Sequence, residues 1–178
     1  MTRRVSGTVE ATSPDGCVKA RSRGGRLEAL AFRPGTYAGY TEEPLRGQLA
    51  RLGTLLYVEH ERAARAAADT VGVQQVTDPA AARNEAEAAF LRGLQNMSVV
   101  GSTARGLVRF KIDGMARWRC RIAPGTPAQL PESAFVAETV EAAGDLLRRS
   151  TIAKIILKNK CFGSGKIDEN RLYEALAR

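Results

Sequence analysis

The chain has few of the residues from which catalytic and metal sites are usually built. Its 178 residues include one histidine, three cysteines and one tryptophan, and only 6% are aromatic. The cysteines share no metal-ligand spacing, and an odd number fits poorly with a disulfide framework, which indicates reduced thiols. We interpret His60, among charged residues of a predicted helix, as an exposed side chain. Since no nucleophile and base stand together, we predict no enzymatic activity, no metal and no cofactor.

The chain also lacks long hydrophobic runs and an excess of acidic residues. No apolar stretch approaches the roughly 20 residues that span a bilayer, and residues 1–10 have no signal-peptide hydrophobic segment. We therefore expect a cytoplasmic protein without a membrane span, folded as one domain or two small ones. The 27 Lys and Arg exceed the 19 Asp and Glu, giving a net charge of +8. Such a charge favours an anionic partner, with nucleic acid first and an acidic membrane second.

What the chain does contain is an internal repeat. Residues 7–42 match residues 97–132 at a constant offset of ninety, without a gap. The matched positions include Val9 and Val99, Gly16 and Gly106, Val18 and Val108, Gly24 and Gly114, and the Pro-Gly-Thr runs at 34–36 and 124–126. Two copies of one unit predict a pseudo-symmetric pair.

Each copy has the pattern of three antiparallel strands followed by a long helix, so the predicted fold class is α+β. Alternating apolar residues separated by Pro, Asp and Gly predict the strands, and an apolar stripe of helical spacing predicts each helix. The predicted strands are 5–11, 17–23, 26–32, 98–102, 107–112 and 116–122, and the predicted helices are 41–69, 79–96 and 131–160. The predicted divisions are a first unit at 1–72, a second unit at 73–162, and a linker with a tail helix at 163–178.

Cations alternate with apolar residues along two neighbouring strands of the second copy. Period-two geometry places each set on one face, and a three-residue loop with a glycine bulge after Asp113 keeps the two strands in register. The cations of this predicted surface are Arg109, Lys111, Arg117, Arg119 and Arg121. A solvated outer face and an anion-binding surface both stay open, although like charges opposite one another destabilise a sheet.

A second basic segment lies in the last long helix and the residues after it. Residues 146–167 contain no acid and six cations, namely Arg148, Arg149, Lys154, Lys158, Lys160 and Lys166. Cations near a helix C-terminus interact favourably with the helix dipole, which explains part of this set. Six exceed what capping requires, so the segment favours phosphate contact. Both basic sets are the predicted nucleic-acid-binding residues.

The order strand–SPDG–strand–Gly–strand–Pro followed by a long helix resembles the YbaB/EbfC family of nucleoid-associated proteins. The likeness is closest in SPDGCVKARSRGGRLEALAFRP, and TARGLVRFKIDGMARWRCRIAPGT resembles it too, with residues 79–96 as the family's leading helix. The resemblance implies a helix–three-strand–helix fold that dimerises and binds duplex DNA with little sequence preference. Two such units in tandem would place that dimer within one chain as a pseudo-dimer, and the first unit lacks the leading helix.

Two functions follow as hypotheses. The first is a non-enzymatic nucleoid-associated protein that binds DNA through its basic surfaces and could associate further into a homo-oligomer. The alternative is an adaptor or scaffold whose basic face meets an acidic protein. Related folds occur in proteins associated with type VII secretion, and residues 57–61 (YVEHE) fit the YxxxE pattern linked with that export route.

Overall fold

Among the residues that the structure describes, two three-stranded antiparallel sheets, two long helices and two shorter ones form an α+β structure. The computed structural model describes residues 7–70, 76–114 and 116–163. The first half contains β1 (Thr8–Thr12), β2 (Val18–Arg23), β3 (Arg26–Phe32), a 3₁₀ turn at Tyr37–Gly39 and α1 (Glu42–Thr70). The second half contains a 3₁₀ turn at Pro79–Ala81, α2 (Glu85–Asn96), β4 (Ser98–Ser102), β5 (Val108–Asp113), β6 (Arg117–Ile122), a short α3 (Thr126–Gln129) and α4 (Glu132–Phe162). The sheets have the orders β1-β2-β3 and β4-β5-β6.

Positions ninety residues apart are buried alike in the two halves. Val18 and Val108 are both 0% exposed, and so are Leu45 and Phe135 in the long helices. Further along these helices, the equivalent positions are again buried: Leu49 and Thr139, Leu52 and Ala142, Gly53 and Ala143. The repeat therefore continues into α1 and α4, beyond the segment where the residues themselves match.

The turns of the two halves also have equivalent hydrogen bonds. The hydroxyls of Thr36 and Thr126 donate to the carbonyls of Arg33 and Ala123, each at 2.7 Å. The turn glycines have nearly equal φ angles, 71° and 66° at Gly16 and Gly106, and 77° and 78° at Gly35 and Gly125. At these two turns, the matching sequences thus adopt the same local backbone.

One hairpin differs between the sheets. Gly24 and Gly25, with φ of 57° and 79°, form a two-residue turn of the kind that suits the twist of a hairpin. In the second sheet, Asp113 pairs with Arg117 across the predicted three-residue loop. A β-bulge that leaves Glu28 as the extra residue shifts the β2–β3 register by one. The first hairpin turn is one residue shorter than the second, and the bulge adds one residue to β3. These two differences cancel, so the offset of ninety persists without a gap.

Each long helix packs on both sheets. Helix α1 packs on β1 and β2 and also on β6, while α4 packs on β4 and β5 and also on β3. A single apolar core includes residues of both halves. Hydrogen bonds also join the halves. The Tyr37 hydroxyl donates to the Leu130 carbonyl at 3.1 Å, and the Thr54 hydroxyl donates to the Ala116 carbonyl at 3.4 Å. The Gly125 amide donates to the Glu42 carboxylate. The core is therefore shared.

Helix α2 begins at Glu85, so the prediction of a helix from residue 79 is wrong for its first turn. The Asn84 side chain accepts a hydrogen bond from the Glu87 amide at 2.9 Å, and the Glu87 carboxylate accepts one from the Arg83 amide at 2.7 Å. This cap fixes the helix start. Residues 79–81 form a separate 3₁₀ turn capped by Asp78. The predicted tail helix lies outside the described residues.

Cys17, Cys120 and Cys161 are all free thiols. Burial raises the pKa of Cys120 from 9.0 to about 12, so its thiol stays protonated and unreactive near neutral pH. In a variant that keeps only this cysteine, we expect the thiol to react with Ellman's reagent at least about 100-fold slower than in the unfolded chain. Because unfolding lowers this pKa, stability should also fall as the pH rises above 9.0. Rapid modification of the folded variant would contradict this burial.

Candidate nucleic-acid interface

The outer surface of the second sheet carries the five cations predicted from the alternating pattern. We call Arg109, Lys111, Arg117, Arg119 and Arg121 the cationic face. The intervening side chains, including Val108, Phe110 and Cys120, point into the core and are 0–6% exposed. Because successive residues of a strand point to opposite sides, burial of one set leaves the other set facing outward. The predicted register and the predicted grouping of these cations are confirmed.

Asp113, which the sequence predicted to lie in the turn, lies on the cationic face as well. Asp113 is the last residue of β5, and its carboxylate is 2.9 Å from Lys111 Nζ and 3.5 Å from Arg119 Nε. The hydrogen bond from Lys111 and another from the Ser98 hydroxyl lower the pKa of Asp113 below its ordinary value. Two of the five cations are thus partly neutralised by one carboxylate.

The other end of the cationic face has no such compensation. Arg109 lies directly opposite Arg121 on the neighbouring strand. Ser102 is the partner of Arg109 on β4. Within residues 7–70, 76–114 and 116–163, no carboxylate forms an ion pair with Arg109 or Arg121. Two facing guanidinium groups destabilise a sheet unless an anion lies between them, so this end of the face is suited to bind one.

The outer surface of the first sheet is closer to neutral. Its cations include Arg21 and Arg23, and the Glu28 carboxylate lies 3.6 Å and 3.5 Å from their Nε atoms. Glu10 of β1 is directly opposite Arg21. The β-bulge directs Glu28 outward, whereas the residue ninety positions later, Trp118, points inward. The bulge is therefore one reason why the two outer surfaces differ in charge.

Helix α4 presents its cations differently from the prediction. Asp145, directly before the acid-free segment, accepts from Arg149 Nε at 2.8 Å and from Arg148 at 3.3 Å. The same carboxylate accepts from the Ser102 amide at 3.1 Å, which joins α4 to β4. The Asp145 side chain is only 15% exposed. Arg148 and Arg149 are thus held by an acid of their own helix.

The remaining α4 cations do not form one surface. Lys154 is half-buried, and burial lowers its pKa while nearby Glu61 of α1 opposes that shift. Lys158 and Lys160 are exposed but point about 160° apart around the helix axis. Lys166 lies outside the described residues. The described cations of the second predicted basic segment therefore lie at separate positions on α4.

Two residues of α1 lie in surroundings that the sequence did not indicate. His60 is half-buried rather than exposed, and it lines a cavity between the two sheets. Tyr57 lines the same cavity and lies in the middle of α1. Burial, reinforced by Glu61, raises the pKa of Tyr57. The apolar stripe of α1 offered no signal for this, because the cavity depends on β6 of the other half.

Comparisons with known proteins found no matching family model, no matching curated protein and no matching solved structure. In the described part of the chain, no helix is both long and apolar enough to cross a membrane. The same residues contain no group of three His, Cys, Asp or Glu side chains placed to hold a metal ion.

Proposed function

We propose that this protein is a nucleoid-associated protein that binds duplex DNA, without sequence preference, through the cationic face of its second sheet. The observation that carries the proposal is the direct pairing of Arg109 with Arg121, which no described carboxylate compensates. A DNA phosphate between the two guanidinium groups would relieve their repulsion and accept charge-assisted hydrogen bonds from both.

The chemistry of this face suits the DNA backbone better than the bases. Its charged groups are guanidinium and ammonium groups, which contact the phosphates of DNA of any sequence. The surface is one side of a sheet, with Val100 as an exposed apolar residue on β4. Five cations and one carboxylate leave four net charges, which predicts a slope of about −3 to −5 for log K against log salt.

We also propose that the two halves form a pseudo-dimer of the YbaB/EbfC kind within one chain. The reciprocal packing of α1 on β6 and of α4 on β3 supports this arrangement. Equivalent burial of positions ninety apart and equivalent turn hydrogen bonds support it as well. In this proposal the pair has diverged in charge, so that one sheet contacts DNA and the other does not.

The double variant Arg109→Gln/Arg121→Gln should bind duplex DNA about 10-fold or more weakly, and its salt slope should be smaller by about two, because two phosphate contacts are lost. Fluorescence anisotropy of a labelled duplex over a series of salt concentrations measures both quantities. Glutamine keeps the side chains polar, so circular dichroism should show an unchanged fold.

A matched control removes the same charge from the first sheet. The double variant Lys19→Gln/Arg26→Gln changes exposed cations of β2 and β3, and it should bind DNA within about twofold of the wild type. Equal losses in both variants would mean that net charge alone governs binding and would refute the assigned face. No binding of the wild-type chain to duplex DNA at low salt would refute the function and favour an adaptor that binds an acidic protein.

A further inference from the structure

Further arginines lie beside the end of the cationic face at which β4 turns into β5. Ser102, the last residue of β4, is paired with Arg109 of β5, so the connecting turn, which contains Arg105, lies next to this row. The Asp145 carboxylate accepts from the Ser102 amide at 3.1 Å and from Arg149 Nε at 2.8 Å. Arg149 therefore lies at the edge of β4, beside the same row.

The acids that hold these arginines are buried, whereas the arginine side chains are about half exposed. The Glu138 side chain is 10% exposed and lies 3.3 Å from Arg105, whose side chain is 63% exposed. The Asp145 side chain is 15% exposed, whereas those of Arg148 and Arg149 are 45% and 50% exposed. An anion that approaches from solvent therefore meets guanidinium groups rather than carboxylates.

An arginine held by one acid keeps hydrogen bond donors for a second anion. A guanidinium group has five N–H donors, and Arg149 contacts Asp145 through Nε, which leaves its terminal amino groups for phosphate. A side chain that is already held also loses less entropy when it binds. Asp113 differs from Asp145, because it lies on the cationic face itself, in contact with Lys111 and Arg119. There it competes with phosphate.

The equivalent positions of the first half have the opposite charge. Asp15 stands ninety residues before Arg105, and Glu59 stands ninety residues before Arg149. The counterparts of the two holding acids are uncharged, namely Gln48 and Leu55. Of these equivalent positions, only those of the second half combine arginines with buried acids, and the second half is also the one with the cationic face.

We propose that the DNA-binding surface continues from the paired arginines of the cationic face, over the β4–β5 turn, to the flank of α4, where Arg105 and Arg149 contact phosphates of the same duplex. Asp145 is a positioning residue, because it holds Arg149 in place for phosphate. The duplex then crosses the strands at the turn end of the sheet rather than following them. This extension rests on the DNA binding proposed above.

The double variant Arg105→Gln/Arg149→Gln should bind duplex DNA about fivefold or more weakly, with a salt slope smaller by about one to two. The matched control is Arg62→Gln/Arg92→Gln, which removes two arginines paired with acids that are 40% and 84% exposed. It should bind within about twofold of the wild type. Fluorescence anisotropy of a labelled duplex measures both variants. Equal losses, or full binding by Arg105→Gln/Arg149→Gln, would refute the extension.

Asparagine substitutions at the two acids have opposite expected effects. Asp113→Asn removes a carboxylate that competes with phosphate, so it should strengthen duplex binding about threefold. Asp145→Asn changes the net charge equally, yet it should weaken binding about threefold and reduce the salt slope, because Arg149 is no longer held. Stronger binding would mean that Asp145 only neutralises, and a weaker affinity with an unchanged slope would mean a merely structural role. Either result would refute positioning by Asp145.

The proposed function and this extension fail in different ways. Absence of duplex binding by the wild-type chain at low salt would refute both. If the wild type binds and Arg109→Gln/Arg121→Gln weakens binding, whereas Arg105→Gln/Arg149→Gln does not, the extension alone is wrong. Because Arg105 and Arg149 are exposed, this variant should fold even if Asp145→Asn does not, which circular dichroism would verify.

Discussion

Gly101→Ala is expected to lower the free energy of unfolding by about 3 kcal/mol, because it forces a methyl group into the backbone of a helix. A Cβ at Gly101 would lie 2.2 Å from the amide nitrogen of Leu146 and 2.4 Å from its Cα. Leu146 is 0% exposed, and α4 packs on β4 at this point. Neither element can shift without loosening the shared core. Since small proteins are stable by only about 5–15 kcal/mol, the loss is a large fraction of the total.

The same change at Gly144 is the control. In that part of α4 an added Cβ meets no atom within 4 Å, so Gly144→Ala should stabilise the helix by about 0.5–1 kcal/mol. Urea denaturation followed by circular dichroism would give both values. If Gly101→Ala were as stable as the wild type, the close contact between β4 and α4 would be wrong.

Much of the secondary structure follows from local sequence signals. The strands at residues 26–32 and 98–102 lie where the alternation predicts them, and the three-residue loop after Asp113 follows from the need to keep Phe110 and Trp118 on one face. The repeat of ninety residues predicted two similar sheets. These signals succeed because period-two burial and turn residues act over a few neighbouring residues.

Those local signals do not predict how elements distant in the sequence pack against one another. The burial pattern of α1 recurs in α4, yet Leu49 is replaced by Thr139 and Leu52 by Ala142, so the sequence does not reveal the equivalence. The crossing of each helix onto the other sheet has no local signature. Close approach at Gly53 and Gly101 depends on a partner far along the chain, and a glycine alone does not identify it.

The sequence could predict only part of the electrostatic environment of the candidate site. Asp145 stands three and four residues before Arg148 and Arg149, which is the spacing of helical ion pairs, so this neutralisation could have been predicted. The role of Asp113 required the exact end of β5, and strand ends are the least certain part of such a prediction. With those acids placed, the two adjacent cations without an ion pair are Arg109 and Arg121, whereas the exposed lysines of α4 point apart.

The contact between α1 and the second sheet gives the second large expected effect. Gly53 is buried in α1, and a Cβ there would lie 2.5 Å from Trp118 Cε3 and 2.6 Å from Cδ2. The indole is rigid and packs edge-on against Phe110, with ring centroids 6.0 Å apart. We therefore expect Gly53→Ala to destabilise the protein by about 1–2 kcal/mol, even though alanine is the better helix former.

Gly47 provides the comparison within the same helix. No atom lies within 4 Å of a Cβ added there, so Gly47→Ala should stabilise the protein by about 0.5–1 kcal/mol. The two alanine variants should thus differ by about 1.5–3 kcal/mol in urea denaturation, and only Gly53→Ala should change the Trp118 fluorescence. Equal stabilisation by both changes would mean that α1 does not press on β6. The shared core, and with it the pairing of the two repeats, depends on this contact.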